Sequence, residues 1–117
     1  MGRFSSLDDV KDKVHKENGI VSLDVADLRD AVGQQKLGIH VRGRISNELA
    51  GLGLGHEPAE LPEYQGNQVL VFKLGSKVAR IIDAVRNPGP KSATTLRETV
   101  NEDAEATLDR IRELLDT

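Results

Sequence analysis

The sequence predicts a mainly helical domain with a small β-hairpin, followed by an amphipathic helix near the C-terminal end. Five segments carry apolar residues every three or four positions, one segment is a continuous β-prone run, and Pro and Gly clusters separate them. The chain has 117 residues, of which 38% are hydrophobic and only 3% aromatic, so its core must be mainly aliphatic. A chain of this length forms one domain with room for an appended helix.

The first helix is predicted by its start signal. Ser6 followed three residues later by Asp9 resembles a capping box, in which side chains bond the unpaired N–H groups at a helix start. Apolar residues spaced three and four apart then give one buried face over about 7–17. A short β-prone stretch over 20–23 follows.

The second and third helices follow from similar signals. Asp24 can cap a second helix, and Gly33 is suited to end it. A turn over 34–38 leads into a third helix over 39–52, whose apolar positions are spaced four, four and three apart. The residues predicted to face the core are Val41, Ile45, Leu49 and Leu52.

The second half of the chain alternates between breakers and regular elements. Residues 56–67 contain two prolines and a glycine and are predicted to form an exposed loop. Residues 68–74 form the best predicted strand, because they are β-branched and aromatic without a breaker. Ser76 can cap a fourth helix, which the prolines at 88 and 90 must end.

These signals divide the chain into a domain over 5–87, a linker over 88–95 and a C-terminal helix over 96–117. The last helix carries an apolar line of residues, here called the C-terminal stripe: Leu96, Val100, Ala104, Leu108, Ile111 and Leu115. The stripe can fold back onto the domain or pair with a second copy of the chain. The Pro-rich break favours self-association, so we expect a homodimer that uses Leu96, Val100, Leu108, Ile111 and Leu115.

Composition excludes several function classes. The absence of cysteine rules out disulfides, iron–sulfur clusters and thiol nucleophiles, and fits a cytoplasmic protein. The sequence contains no run of 18 apolar residues, so it predicts no membrane-spanning helix. The three histidines lack metal-ligand spacing, and no motif supplies a nucleophile with its base. We therefore expect no enzyme activity, no cofactor and no metal site.

Charge is unevenly distributed along the chain. The net charge is −3. Residues 1–35 carry −2, residues 36–91 carry +3 and residues 92–117 carry −4. An acidic protein does not coat DNA by charge alone, but the basic middle permits a local phosphate-binding face.

The order of predicted elements resembles a winged helix-turn-helix domain over residues 5–74. Two segments carry the resemblance, and they are Val21-Ser22-Leu23-Asp24-Val25-Ala26-Asp27-Leu28-Arg29 and Ile45-Ser46-Asn47-Glu48-Leu49-Ala50-Gly51-Leu52-Gly53-Leu54. The resemblance implies that the third helix is the recognition helix and that a β-hairpin, the wing, follows it. Two features depart from the pattern: the turn over 34–38 is long, and the wing loop carries glutamates that would repel phosphate.

The third helix offers residue types that suit a major groove. Arg can bond guanine bidentately and Asn can bond adenine, while basic residues outside the helix can hold phosphates. The predicted DNA-contacting residues are Lys36, His40, Arg42, Arg44, Ser46, Asn47, Lys73 and Lys77. The sequence therefore predicts a sequence-specific double-stranded DNA-binding protein, a regulator or an organiser of a DNA site. The alternative is a protein-interaction adaptor, which the acidic wing and the acidic total charge favour.

Overall fold

The computed structural model describes residues 3–115 and places them in five helices and three strands. In chain order these are α1 (Leu7–Lys16), β1 (Ile20–Asp24), α2 (Val25–Ala31), α3 (Ile39–Gly51), β2 (Leu54–Glu57), β3 (Gln68–Lys73), α4 (Lys77–Arg86) and α5 (Pro90–Leu115). The predicted mainly helical class with a small hairpin is confirmed. The chain divides into two compact units between Val78 and Ala79.

The first unit contains an antiparallel sheet in the order β1-β3-β2. β2 and β3 form the hairpin, with Leu54 opposite Lys73. β1 pairs with the other edge of β3, with Ile20 opposite Phe72. The central position of β3 agrees with its nearly continuous apolar sequence, since a central strand pairs on both edges.

The core of this unit is aliphatic, as the composition predicts. Val21 and Leu23 of β1 and Val69 and Val71 of β3 supply the sheet side of the core. The helix residues that share this core are Leu7, Val10, Val14, Val25, Leu28, Ala31, Ile45 and Leu49, with Val41 and Leu52 half-buried against it. The prediction of which α3 residues face inward is therefore confirmed.

The predicted helix caps at Ser6 and Asp24 form, while the hydroxyl of Ser76, the predicted cap of α4, donates to the Lys73 carbonyl oxygen at 2.6 Å. The Asp9 backbone N–H donates to Ser6 Oγ at 3.4 Å, and the Ala26 backbone N–H donates to Asp24 Oδ1 at 2.8 Å. Asp24 also accepts from the backbone N–H of Gly66, at 3.1 Å and 3.0 Å to its two oxygens. One carboxylate thus starts α2 and holds the end of the loop that precedes β3.

The carboxyl group of Asp9 is expected to make the stability of the start of α1 depend on pH. The Ser5 hydroxyl, at 2.6 Å, and the Ser5 backbone N–H, at 3.1 Å, donate to Asp9 Oδ2 and lower the pKa of this carboxyl. A lowered folded-state pKa means that the contact stabilises the fold above the ordinary carboxyl pKa and is lost as pH falls through the lowered value. We expect Ser5→Ala to raise the Asp9 pKa in an NMR titration of the side-chain carboxyl. An unchanged pKa would contradict this cause.

The loop between β2 and β3 differs from the prediction in where it begins and in how deeply it is buried. His56 and Glu57 pair with β3 as part of β2, so the loop spans 58–67 instead of 56–67. Leu61 within it is only 3% exposed, so the loop covers part of the core instead of extending into solvent. The sequence around Gly55 does not alternate between apolar and polar residues, so no local pattern predicts this strand. Its strand conformation depends on pairing with β3.

The second unit also differs from the prediction. α5 begins at Pro90, so residues 90–95 of the predicted linker are helical, and the break is confined to 87–89. Proline is tolerated in the first turn of a helix because its missing N–H would have no partner there. The boundary between the compact units follows Val78, whereas the prediction placed α4 in the first domain. The last two residues of the predicted C-terminal helix lie outside the described residues.

Gly55 is expected to be intolerant of any side chain. A Cβ built there would lie 2.8 Å from Cε2 and Cζ of the Phe72 ring and 3.0 Å from Leu74 Cδ2. Phe72 is 3% exposed, so its ring has little room to move. We expect Gly55→Ala to lower the free energy of unfolding by about 1–3 kcal/mol in urea denaturation.

Gly43→Ala is the matched control for this prediction. A Cβ on Gly43 meets nothing within 4 Å, and the residue lies inside α3. Alanine there should raise stability by about 0.5–1 kcal/mol, because glycine weakens a helix interior. Equal effects at both positions would show that the Phe72 contact does not limit Gly55.

Candidate nucleic-acid interface

The outer face of α3 is the candidate interface. α3 follows the exposed Gly38 without a side-chain cap, while the preceding Leu37 is buried and anchors the turn. With Ile45 and Leu49 buried, the opposite face is open to solvent. Its exposed members are His40, Gly43, Arg44, Asn47 and Ala50.

Arg44 is partly engaged within its own helix. Its Nε donates to Glu48 Oε1 at 3.1 Å, and the two side chains are 51% and 44% exposed. Exposed ion pairs of this spacing contribute about 0.3–0.5 kcal/mol. The guanidinium can therefore exchange Glu48 for a stronger acceptor at little cost.

Arg42 bonds the protein itself. Its Nε donates to the Leu37 carbonyl oxygen at 3.0 Å, and Nη1 donates to the Leu61 carbonyl oxygen at 3.3 Å. Its Nη2 lies 3.9 Å from the Glu63 carboxylate. These contacts tie the turn before α3 to the β2–β3 loop, and we therefore remove Arg42 from the proposed interface.

Ser46 also turns inward, toward a histidine that the sequence placed at the surface. Ser46 Oγ lies 2.8 Å from His56 Nε2, and His56 Nδ1 lies 2.7 Å from the Pro58 carbonyl oxygen. A carbonyl only accepts, so His56 Nδ1 carries a proton and donates to Pro58. The pair joins α3 to the start of the β2–β3 loop, a structural role that no local sequence signal indicated.

The β2–β3 loop borders the first half of α3. Ala59, Glu60 and Leu61 form one wall of a cleft of about 250 Å³, and Ile39, Arg42, Gly43 and Ser46 form the other. Glu60 and the nearby Glu63 give this side of α3 an acidic border. The half of α3 that carries Arg44 and Asn47 is better suited to an anionic ligand than its first turn.

The three predicted phosphate-contacting lysines are exposed at separate places. Lys36 lies in the turn before α3, Lys73 ends β3, and Lys77 begins α4. Lys36 is the one that the chain holds next to the start of the candidate helix. The structure thus brings together Lys36, His40, Arg44 and Asn47 on or beside α3.

Comparison with protein-family models, curated proteins and solved structures finds no match for this chain. None of the helices in the described part of the chain is long and apolar enough to cross a membrane. Among residues 3–115, no group of three or more His, Asp or Glu side chains could hold a metal ion.

Proposed function

We propose that residues 5–74 form a winged helix-turn-helix domain. The observation in support is the combination of element order, α1-β1-α2-α3-β2-β3, with sheet order β1-β3-β2. The resemblance implies that the third helix is the recognition helix and that the hairpin after it is the wing. The β2–β3 loop would be the wing, folded against the domain by its contacts with Arg42 and Asp24.

The proposed function is sequence-specific binding of double-stranded DNA by α3. The observation that carries it is the exposed pair Arg44 and Asn47, one turn apart, with the small residues Gly43 and Ala50 beside them. Small residues let a helix enter the major groove closely, while Arg and Asn can bond guanine and adenine edges. Lys36 would hold a phosphate and set the register. A homodimer through the C-terminal stripe would place two such helices on one DNA site.

The test starts with duplexes enriched from a random library and measured by fluorescence anisotropy at about 100 mM salt, where specific complexes are usually tight. Arg44→Ala and Asn47→Ala should each weaken binding to the enriched duplex by roughly 1–3 kcal/mol and leave random DNA nearly unaffected. Lys36→Ala should weaken both duplexes alike and reduce the salt slope by about one unit.

Lys16→Ala is the charge-matched control, since Lys16 is exposed at the end of α1 and removed from α3 in the chain. It should change neither the preference for the enriched duplex nor the salt slope. If no duplex is bound better than random DNA, the proposed function is wrong.

The second candidate is a protein-interaction adaptor. The observation that favours it is the cleft between α3 and the β2–β3 loop, where Ile39 is 72% exposed beside Glu60. An apolar residue with an acidic border suits a basic, amphipathic segment of another protein better than a phosphate backbone. If the folded protein binds no enriched duplex better than random DNA in the titration, this second function is favoured.

A further inference from the structure

The C-terminal stripe is largely uncovered in the second unit. Val100, Leu108, Ile111 and Leu115 are 66%, 51%, 47% and 80% exposed, and every described residue after Val100 is exposed. Leu114 beside the stripe is also exposed. Solvent-facing apolar groups in this number on one helix are typical of an interface with another chain.

α4 meets a different side of α5. Thr99 is 3% exposed, and Arg80 of α4 lies 3.4 Å from the Glu102 carboxylate. A helix turns about 100° per residue, so Thr99 and Glu102 lie on one side, and the stripe residue Ile111 lies about 120° around the helix from Thr99. The contact between α4 and α5 therefore leaves the stripe available.

The charges beside the stripe differ between its two halves. Within residues 98–113, at 100° per residue, the charged residues that flank the stripe are Asp103 and Glu105 in its first half and Arg110 and Arg112 in its second half. In a parallel pair in register, each acidic half would lie beside its own copy. In an antiparallel pair, each acidic half lies beside the half that carries Arg110 and Arg112, which lowers the repulsion.

We propose that two copies of the chain pair through α5 in antiparallel orientation. This inference rests on the proposed homodimer and adds its geometry. In the register proposed, residues at the same height on the two helices have numbers that add to about 211. Val100 therefore lies opposite Ile111 of the partner subunit. Ala104 lies near Leu108 of the partner subunit. A small residue then faces a large one, whereas parallel pairing sets Ala104 against its own copy and leaves a gap.

The orientation has a consequence for the assembly. At a rise of about 1.5 Å per residue, the two Pro90 residues lie about 45 Å apart, at opposite ends of the helix pair. The two DNA-binding units would then be joined to distant points. Such a dimer suits two well-separated half-sites.

The test uses disulfide trapping, because the chain contains no cysteine that could interfere. Val100→Cys and Ile111→Cys are prepared separately and as a refolded mixture, and each sample is oxidised mildly. Intact-mass spectrometry distinguishes the mixed dimer from either homodimer. We expect the mixture to form the mixed disulfide, and each variant alone to remain uncrosslinked, because its two sulfurs would lie about 16 Å apart along the axis.

Ala106→Cys is the matched control, since Ala106 is exposed near the two-fold level and points away from the stripe. It should not crosslink. Rapid homodimer formation by Val100→Cys or Ile111→Cys alone would show parallel pairing and overturn the orientation. A dimer that forms no disulfide in any sample would overturn the proposed neighbours. A monomeric protein in light scattering would overturn self-association itself. The DNA titration with the Arg44 and Asn47 variants does not depend on the orientation of the pair, so it tests the proposed function separately.

Discussion

Replacing Leu108 with aspartate is expected to convert a dimeric protein into a monomer. Leu108 is half exposed in the isolated chain and lies at the centre of the C-terminal stripe. Each leucine buried in the pair contributes roughly 1.5–3 kcal/mol, and the symmetric interface contains two. The variant also adds two carboxylates to an already acidic surface. The dissociation constant of the dimer should rise at least about a hundredfold, since each 1.4 kcal/mol is tenfold.

Sedimentation equilibrium of the two proteins over a concentration series measures this change. Ala106→Asp is the control, because it adds the same charge on the side of α5 that faces away from the stripe. It should leave the dimer almost unchanged. If Leu108→Asp and Ala106→Asp shift the dissociation constant equally, general charge repulsion and not the stripe limits association.

The second large effect is expected at Arg42. Arg42→Met keeps the aliphatic stem of the side chain but removes the donors to the carbonyl oxygens of Leu37 and Leu61. Hydrogen bonds of charged groups contribute about 1.5–3 kcal/mol. We therefore expect the free energy of unfolding to fall by about 2–3 kcal/mol. The released β2–β3 loop should also be cleaved faster by a protease that cuts after glutamate.

Arg44→Met provides the comparison, since Arg44 is exposed and pairs only with Glu48 among the contacts described for it. Its stability should stay within about 0.5 kcal/mol of the parent protein. The two substitutions are thus expected to affect different properties. Replacing Arg42 lowers the free energy of unfolding, whereas replacing Arg44 weakens DNA binding. A stable Arg42→Met variant with weakened DNA binding would return Arg42 to the interface.

Local signals in the sequence predicted most of the regular structure. Ser6 and Asp24 begin their helices as expected, because a cap involves only residues within a few positions of one another. Ile45 and Leu49 face the core as expected, because one helical period determines which residues share a face. The start of α5 at Pro90 was missed, since proline both ends one helix and can begin the next.

The contacts that define the candidate interface are not local, and the sequence did not reveal them. Arg42 and Arg44 look alike in the sequence, but only Arg42 lies beside the Leu61 carbonyl, which is 19 residues away. Ser46 is directed inward by His56, which lies on another element. Such contacts depend on where the chain returns after a turn.

The sequence by itself therefore determined the helices, the caps at Ser6 and Asp24 and the aliphatic core, because these follow from spacing and chemistry within one or two turns. Only the tertiary structure decided which polar residues of α3 remain available to a ligand. It also decided that Leu61 is covered and that Gly55 has no room for a side chain. The physical reason is that hydrogen bonding and close packing between distant segments depend on their relative placement, which no local period records.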